Sequence, residues 1–361
     1  MKKLIVVFIL GLFLIDSVRA MDTSASCAIV MDQNSNRIIY SKNIHKVRSV
    51  ASISKIMTAV LAIESGKLDE KVTVGEEILK AYGSAVYLTV GETLTLRDLV
   101  YGLMLRSGND AALAIATYVS GGVDKFVEDM NKKAVQIGMK NTTFHNPHGL
   151  DEESGNMSTA YDMAILTSYA MKNEDYKKIV GTKKYSLKTN KNNYLWKNKN
   201  KLLNTYQYTT GGKTGFTEIA KRTLVSTASK DNTDLVVVTL NDGNDFNDHK
   251  NLYEEAFSSY RTYTVLEKGN VNIPGEDYYY DDDIYLKNEY KMMLRDDEKG
   301  NIILKYELEK KRNYKSGDPI GIVKVMLDDK EFYQDTLYVN KKEISSKKTF
   351  WDTIIGWFHD K

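Results

Sequence analysis

Ser52-Ile53-Ser54-Lys55 places a hydroxyl and an amine three residues apart, at the head of an apolar-periodic stretch. On a helix that spacing brings both side chains onto one face, within reach of each other. A serine hydroxyl is a weak nucleophile and needs a base beside it. A lysine amine can be that base once burial or a second cation has lowered its proton affinity. The helix N-terminus adds unpaired N–H donors and a positive dipole end, which suit a developing oxyanion. Ser52 is therefore the candidate nucleophile and Lys55 the candidate base. The pattern is common, however, and taken alone it is only a helix start.

Two further groups change its weight. Ser107-Gly108-Asn109 follows 55 residues after Ser52, between two helical stretches, where an exposed turn is expected. Ser107 could relay a proton, and Asn109 could hold a substrate amide and orient Lys55. Lys213-Thr214-Gly215 follows 161 residues after Ser52 and is preceded by Gly211 and Gly212. At a sheet edge these residues could offer backbone groups to a peptide-like ligand. Lys213 and Thr214 could grip a terminal carboxylate by charge-assisted hydrogen bonds. Gly215 removes a side chain that would block approach. Separately, each group has a plain structural reading as a cap, a turn or a strand start.

The elements that must position these residues are legible in outline. Residues 25–31 and 37–41 read as strands around a turn-rich Asp32-Gln33-Asn34-Ser35-Asn36. Ser52 to about Glu64 is helical, with Ile53, Ile56, Met57, Val60 and Leu61 on one face. Thr95-Leu96-Arg97-Asp98 resembles a capping box opening a helix to about Leu105. Asp110 to Val119 and Asp124 to Ile137 are further helices, parted by Gly121-Gly122. Residues 221–229 and 234–240 read as paired strands, followed by a helix near 248–260. A sheet covered by helices results. From about Tyr263 short β-type runs take over (Asn301 to Tyr306, Ile320 to Met326, Phe332 to Val339), which marks a smaller β-rich domain. Asp277-Tyr278-Tyr279-Tyr280-Asp281-Asp282-Asp283 reads as a solvated loop.

Composition bounds the rest. The 361 residues are 42% hydrophobic and 27% charged with 3 Pro, a globular balance. Lys+Arg of 50 against Asp+Glu of 48 gives no basic signature for nucleic acid. A single cysteine, Cys27, excludes an intrachain disulfide and reads as a packed thiol in a strand. The 5 His are scattered and no HExxH occurs. His145 and His148 have a ligand-like spacing, but Pro147 and Gly149 mark a loop, so neither a metal nor a cofactor is expected.

Both ends suggest export. Lys2 and Lys3 precede an apolar run from Leu4 to Ile15, and Val18-Arg19-Ala20 fits a cleavage site, so 1–20 is expected to be a signal peptide. An uncleaved anchor is the alternative. Removing 1–20 leaves a formal charge of zero. At the other end Phe350, Trp351, Ile354, Ile355, Trp357 and Phe358 share a helical face behind Lys347 and Lys348. That pattern suits an amphipathic helix lying in the headgroup layer. A helix docked on the protein itself is the alternative.

The three motifs together form the set shared by penicillin-binding proteins and class A β-lactamases. With Asn146-Pro147-His148-Gly149-Leu150 and Ser158-Thr159-Ala160-Tyr161-Asp162, the chain resembles the low-molecular-mass penicillin-binding proteins, serine-type D-alanyl-D-alanine carboxypeptidases of the peptidase S11 family. The resemblance implies an α/β (α+β) catalytic domain of the penicillin-binding/β-lactamase type, an antiparallel sheet flanked by helices, and a small all-β C-terminal domain. The expected division is signal peptide 1–20, catalytic domain 21–262, β-rich domain 263–343 and membrane-anchor helix 344–361. It also implies an acyl-enzyme on Ser52 with a peptidoglycan stem pentapeptide. Lys55 would act as base, Ser107 as relay and Asn109 as positioning group. Lys213, Thr214 and Gly215 would bind substrate, and the Ser52 and Phe216 N–H groups would form the oxyanion hole. β-Lactams would acylate Ser52. The protein would lie outside the cytoplasmic membrane, held to its outer face by the C-terminal helix.

Ala220-Lys221-Arg222 departs from an expected Ala-Gly, which leaves strand packing near Lys221 open. A class A β-lactamase would need E-x-x-L-N, and Glu152-Glu153-Ser154-Gly155-Asn156 lacks it. A D,D-endopeptidase would use the same residues. A non-catalytic wall-binding scaffold would not need Ser52, Lys55, Ser107 and Lys213 intact.

Overall fold

A computed structural model describes residues 21–151, 155–273, 283–309 and 313–341. The proposed signal peptide, the C-terminal helix, Glu152, Glu153 and most of the acidic aromatic tract lie outside the described residues.

The N-terminal half is built on five antiparallel strands. These are β1 (Cys27–Asp32), β2 (Ile38–Lys42), β3 (Thr209–Thr217), β4 (Lys221–Lys230) and β5 (Thr233–Leu240), in the order β2-β1-β5-β4-β3. β1 is buried along its whole length, and Cys27 is a buried free thiol within it. The unbroken Leu235-Val236-Val237-Val238 run follows from layers on both faces. Val236 and Val238 pack into the large helical core with Ile29, Met31 and Ile56. Leu235 and Val237 face Leu252, Tyr253 and Ala256 of the helix Asp245–Ser259. A strand buried on both sides has no polar face to show in its sequence.

Three helices carry the first two motifs: α1 (Lys55–Glu64), α2 (Leu96–Tyr101) and α3 (Asn109–Ser120). The Thr95 capping box is formed, with Thr95 and Asp98 bonding reciprocally. Two expected boundaries shift. Ser52 lies in a 3-10 turn, Ala51–Ser54, ahead of α1. α2 stops at Tyr101 and continues as a π-turn, Gly102–Arg106, rather than as α-helix to Leu105. Such widened turns recur at functional sites, and this one ends at Ser107.

The β-rich half begins at Arg261–Leu266, paired with Tyr290–Leu294. Beside it a sheet runs in the order Gly269–Asn270, Asp283–Leu286, Lys330–Asn340, Pro319–Leu327, Ile302–Leu308. It has its own core around Ile320, Val323, Val325 and Leu337. The halves are joined by a buried ion pair, Arg37 to Glu298 at 2.6 Å, while Arg37 also donates to the Met293 carbonyl.

Candidate active site

The turn that carries Ser52, the candidate nucleophile, is held from several directions. Ala51, just before Ser52, has φ 53°, a left-handed conformation that costs a β-carbon residue about 1 kcal/mol or more. Thr223 of β4 donates to the Val50 carbonyl at 3.0 Å, and the Val50 N–H donates to the Asn156 carbonyl at 3.1 Å. Gly149 has φ +81°, and a β-carbon there would stand 2.2 Å from the Ala51 carbonyl oxygen. Only glycine lets the 146–150 loop lie this close to the turn. That loop is folded by the Asn146 and Asn156 side chains, whose amides bond its backbone at 2.6 to 3.2 Å.

Lys55 is fully buried beneath Ser52. Its Nζ lies 3.0 Å from the Ser52 Oγ and 2.8 Å from the Asn109 Oδ1, and it also donates to the His148 carbonyl. Burial, then the charges of Lys213 and Lys199, hold the Lys55 amine well below the usual lysine range. A lysine whose neutral form is favoured and whose nitrogen touches a serine hydroxyl can accept its proton.

The π-turn delivers the second motif. Ser107 caps it at φ 65° and is buried, as is Asn109. The exposed turn expected here is therefore wrong. The motif is enclosed by a segment the sequence reading missed, residues 82–88. Asn109 donates through its amide to the Tyr82 carbonyl at 2.6 Å and through its backbone to the Ser84 carbonyl at 2.8 Å. Asp110 accepts from the Val86 and Leu88 N–H groups at 3.0 and 3.1 Å.

The third motif lies on β3, the sheet edge, as expected. A β-carbon at Gly215 would stand 2.4 Å from the Thr223 hydroxyl and 3.0 Å from the Ser52 nitrogen, so glycine brings the strand against the nucleophile turn. Lys213 is buried, and its Nζ donates to the Thr214 carbonyl at 2.7 Å. Burial and then Lys199 push it down to about 7. Ser52, Ser107, Thr214, Gly215 and Phe216 line one cleft of ≈ 300 Å³, together with Ser84, Lys199, Lys201 and Arg222. The two lysines, Ser84 and Arg222 were not singled out from sequence as site residues. Lys199 bonds the Ser84 hydroxyl at 3.1 Å, and Arg222 pairs with Asp245 at 2.6 Å.

Lys221, where glycine was expected, has φ 60° in the β3–β4 turn, so the chain keeps the glycine-type conformation with a lysine. Asp151 ties the 146–150 loop to both sides of the cleft. It accepts from Ser49 at 2.5 Å and from Thr217 of β3. Among the described residues no group of three or more His, Cys, Asp or Glu side chains is placed to hold a metal ion, and burial pushes the His148 ring down to about 3.

Comparison with known proteins follows the same line. A family model described as D-alanyl-D-alanine carboxypeptidase matches residues 15–244, and one for the penicillin-binding protein 5 C-terminal domain matches 260–344. The D-alanyl-D-alanine carboxypeptidase DacF of Bacillus subtilis is 33% identical over 294 residues, 75% of each chain. DacA of Haemophilus influenzae is 31% identical over 345 residues, covering 88% of this chain and 84% of that one. The crystal structure of penicillin binding protein 5 from Haemophilus influenzae superposes with a TM-score of 0.75 at 28% identity, over 89% of this chain and 98% of that one. The chain belongs to the D-alanyl-D-alanine carboxypeptidases of the peptidase S11 family, and its activity is the serine-dependent removal of a C-terminal D-alanine.

Proposed function

We propose that the protein trims peptidoglycan stem pentapeptides through an acyl-enzyme on Ser52, and so limits cross-linking. The contact that carries this reading is the 3.0 Å approach of the Lys55 amine to the Ser52 hydroxyl. Neutral Lys55 takes the Ser52 proton as Oγ attacks the carbonyl of the penultimate D-alanine. The Ser52 and Phe216 N–H groups hold the oxyanion, each worth about 3 kcal/mol. The proton passes through Ser107 to the leaving D-alanine nitrogen as the C–N bond breaks. Water then hydrolyses the ester, its proton returning by the same route.

Asn109 positions Lys55 and the substrate. The Thr214 hydroxyl, on the cleft wall, donates to the terminal carboxylate, and Lys213 adds positive charge from beneath the strand. A β-lactam carries an acyl carbonyl and a carboxylate in the same relation, so it acylates Ser52. The residues around Ser52 act without a metal. The sequence pattern of 1–20 supports export, and the aromatic face of 350–358 supports attachment to the outer face of the cytoplasmic membrane; among the described residues no helix is long and apolar enough to cross a membrane.

The test is D-alanine release from a free pentapeptide ending in D-Ala-D-Ala by the mature chain. Release abolished by Ser52→Ala is expected. Cleavage of cross-linked dimers with no D-alanine from the pentapeptide would make the protein an endopeptidase.

A further inference from the structure

A cavity larger than the catalytic cleft, ≈ 930 Å³, lies where the two halves of the protein meet. It is walled by the β1–β2 turn, the β4–β5 turn and strands of the β-rich half. A second cavity of ≈ 390 Å³ shares Asn34, Ser229 and Asp234 with it, so the two adjoin across that end of the sheet. β4 spans from Arg222 at the catalytic cleft to Ser229 here. At about 3.3 Å per residue the two sites stand roughly 23 Å apart.

The lining indicates the class of ligand. Asn34, Asn36 and Asn232 offer amides, and Thr262 and Thr264 offer hydroxyls. These groups donate and accept alike, matching sugar hydroxyls and acetamido groups. Tyr290 is buried and stacks on Tyr333 with ring centroids 4.0 Å apart, so the apolar part of the wall open to a pyranose ring comes from the half-buried Tyr333 and Phe332. Lys291 is paired with Glu289 at 2.7 Å, while Asp231 and Asp234 add further negative charge to the wall. That balance repels nucleic acid, phosphate-rich polymers and anionic lipid. At ≈ 930 Å³ the cavity has room for an oligosaccharide, at the upper end of the usual size for a ligand pocket.

We propose that this interdomain trough binds the neutral N-acetylated glycan strands of the wall polymer. The inference rests on the reading of peptidoglycan as substrate. A second contact about 23 Å from the catalytic cleft raises the local concentration of polymer-borne stem peptides without touching the chemistry. Free peptides gain nothing from it.

The test uses the full mature chain, its Phe332→Ala variant and an Asn34→Leu/Thr264→Val double variant at exposed positions. Calorimetry with a peptide-free N-acetylglucosamine tetramer is expected to show binding that both variants weaken about fivefold or more. D-Alanine release from insoluble peptidoglycan should fall by a similar factor, with release from free pentapeptide unchanged. No binding of the tetramer to the wild type, or equal binding by all three proteins, would overturn the proposal. Tetramer binding by a wild type that releases no D-alanine from free pentapeptide would leave the trough standing and overturn the catalytic reading instead.

Discussion

The Lys55 side-chain nitrogen and the Asn109 side-chain oxygen are 2.8 Å apart, although 54 positions separate them in the chain. This bond welds the nucleophile turn to the π-turn that carries Ser107. It also aims the amine at Ser52, because the Asn109 amide nitrogen is fixed in turn by the Tyr82 carbonyl. The candidate base is thus positioned by two segments outside its own helix.

Lys55→Arg replaces the amine with a guanidinium that does not deprotonate in the working pH range. The acylation rate with a fluorescent penicillin should fall by about 10²- to 10⁴-fold, the usual worth of a general base. Acylation within a factor of a few of wild type would remove Lys55 from its role.

Lys213 tests the electrostatics of the floor. Its folded-state value of about 7 lies below the ordinary lysine value of 10.5, so between these limits the unfolded chain binds more protons. Stability therefore rises with pH across that window, and the cost of the buried charge is full below it. Lys213→Met should be more stable than wild type by about 1–3 kcal/mol at pH 6, with the gap closing toward pH 10, while D-alanine release is lost. Urea unfolding at several pH values reads this; a gap that does not change with pH contradicts it.

Asp151 uses its two carboxylate oxygens on Ser49 and Thr217, one on each side of the cleft. An amide in its place has one oxygen and so loses one acceptor. Asp151→Asn should slow acylation about tenfold to a hundredfold, by loosening β3 against the nucleophile turn, while the fold melts normally. Unchanged acylation would mean the bridge is incidental.

The two halves share the Arg37–Glu298 pair, with side-chain exposures of only 8% and 9%. Glu298→Gln leaves a buried guanidinium without its counter-charge and should cost about 3 kcal/mol in urea unfolding. The Arg37→Met/Glu298→Leu double variant should recover most of that loss. D-Alanine release from free pentapeptide, per folded molecule, should stay unchanged in both. A double variant as unstable as the single one would contradict the account.

What the sequence disclosed was set by how local the physics is. The Thr95–Asp98 capping box, the α1 face and the β3 edge each depend on neighbours within a few residues, and all three were legible. The burial of Ser107 and Asn109 was not, because residues 82–88 cover them from a distance and carry no periodic pattern. Lys199, Lys201 and Arg222 reach the cleft only through tertiary packing, so as single basic residues they gave no signal. The role of the His148 carbonyl as a Lys55 acceptor is a backbone property, invisible in side-chain chemistry. Gly149 and Gly215 were noticed within motifs, but the reason for them lies in contacts to Ala51, Ser52 and Thr223.

The central claim is that Ser52 carries the acyl group. Incubating the mature protein with benzylpenicillin, digesting it and measuring peptide masses tests this most directly. One penicilloyl adduct is expected, on the peptide containing Ser52, and none in Ser52→Ala. An adduct on another residue, or an equal adduct in the Ser52→Ala protein, would contradict the account.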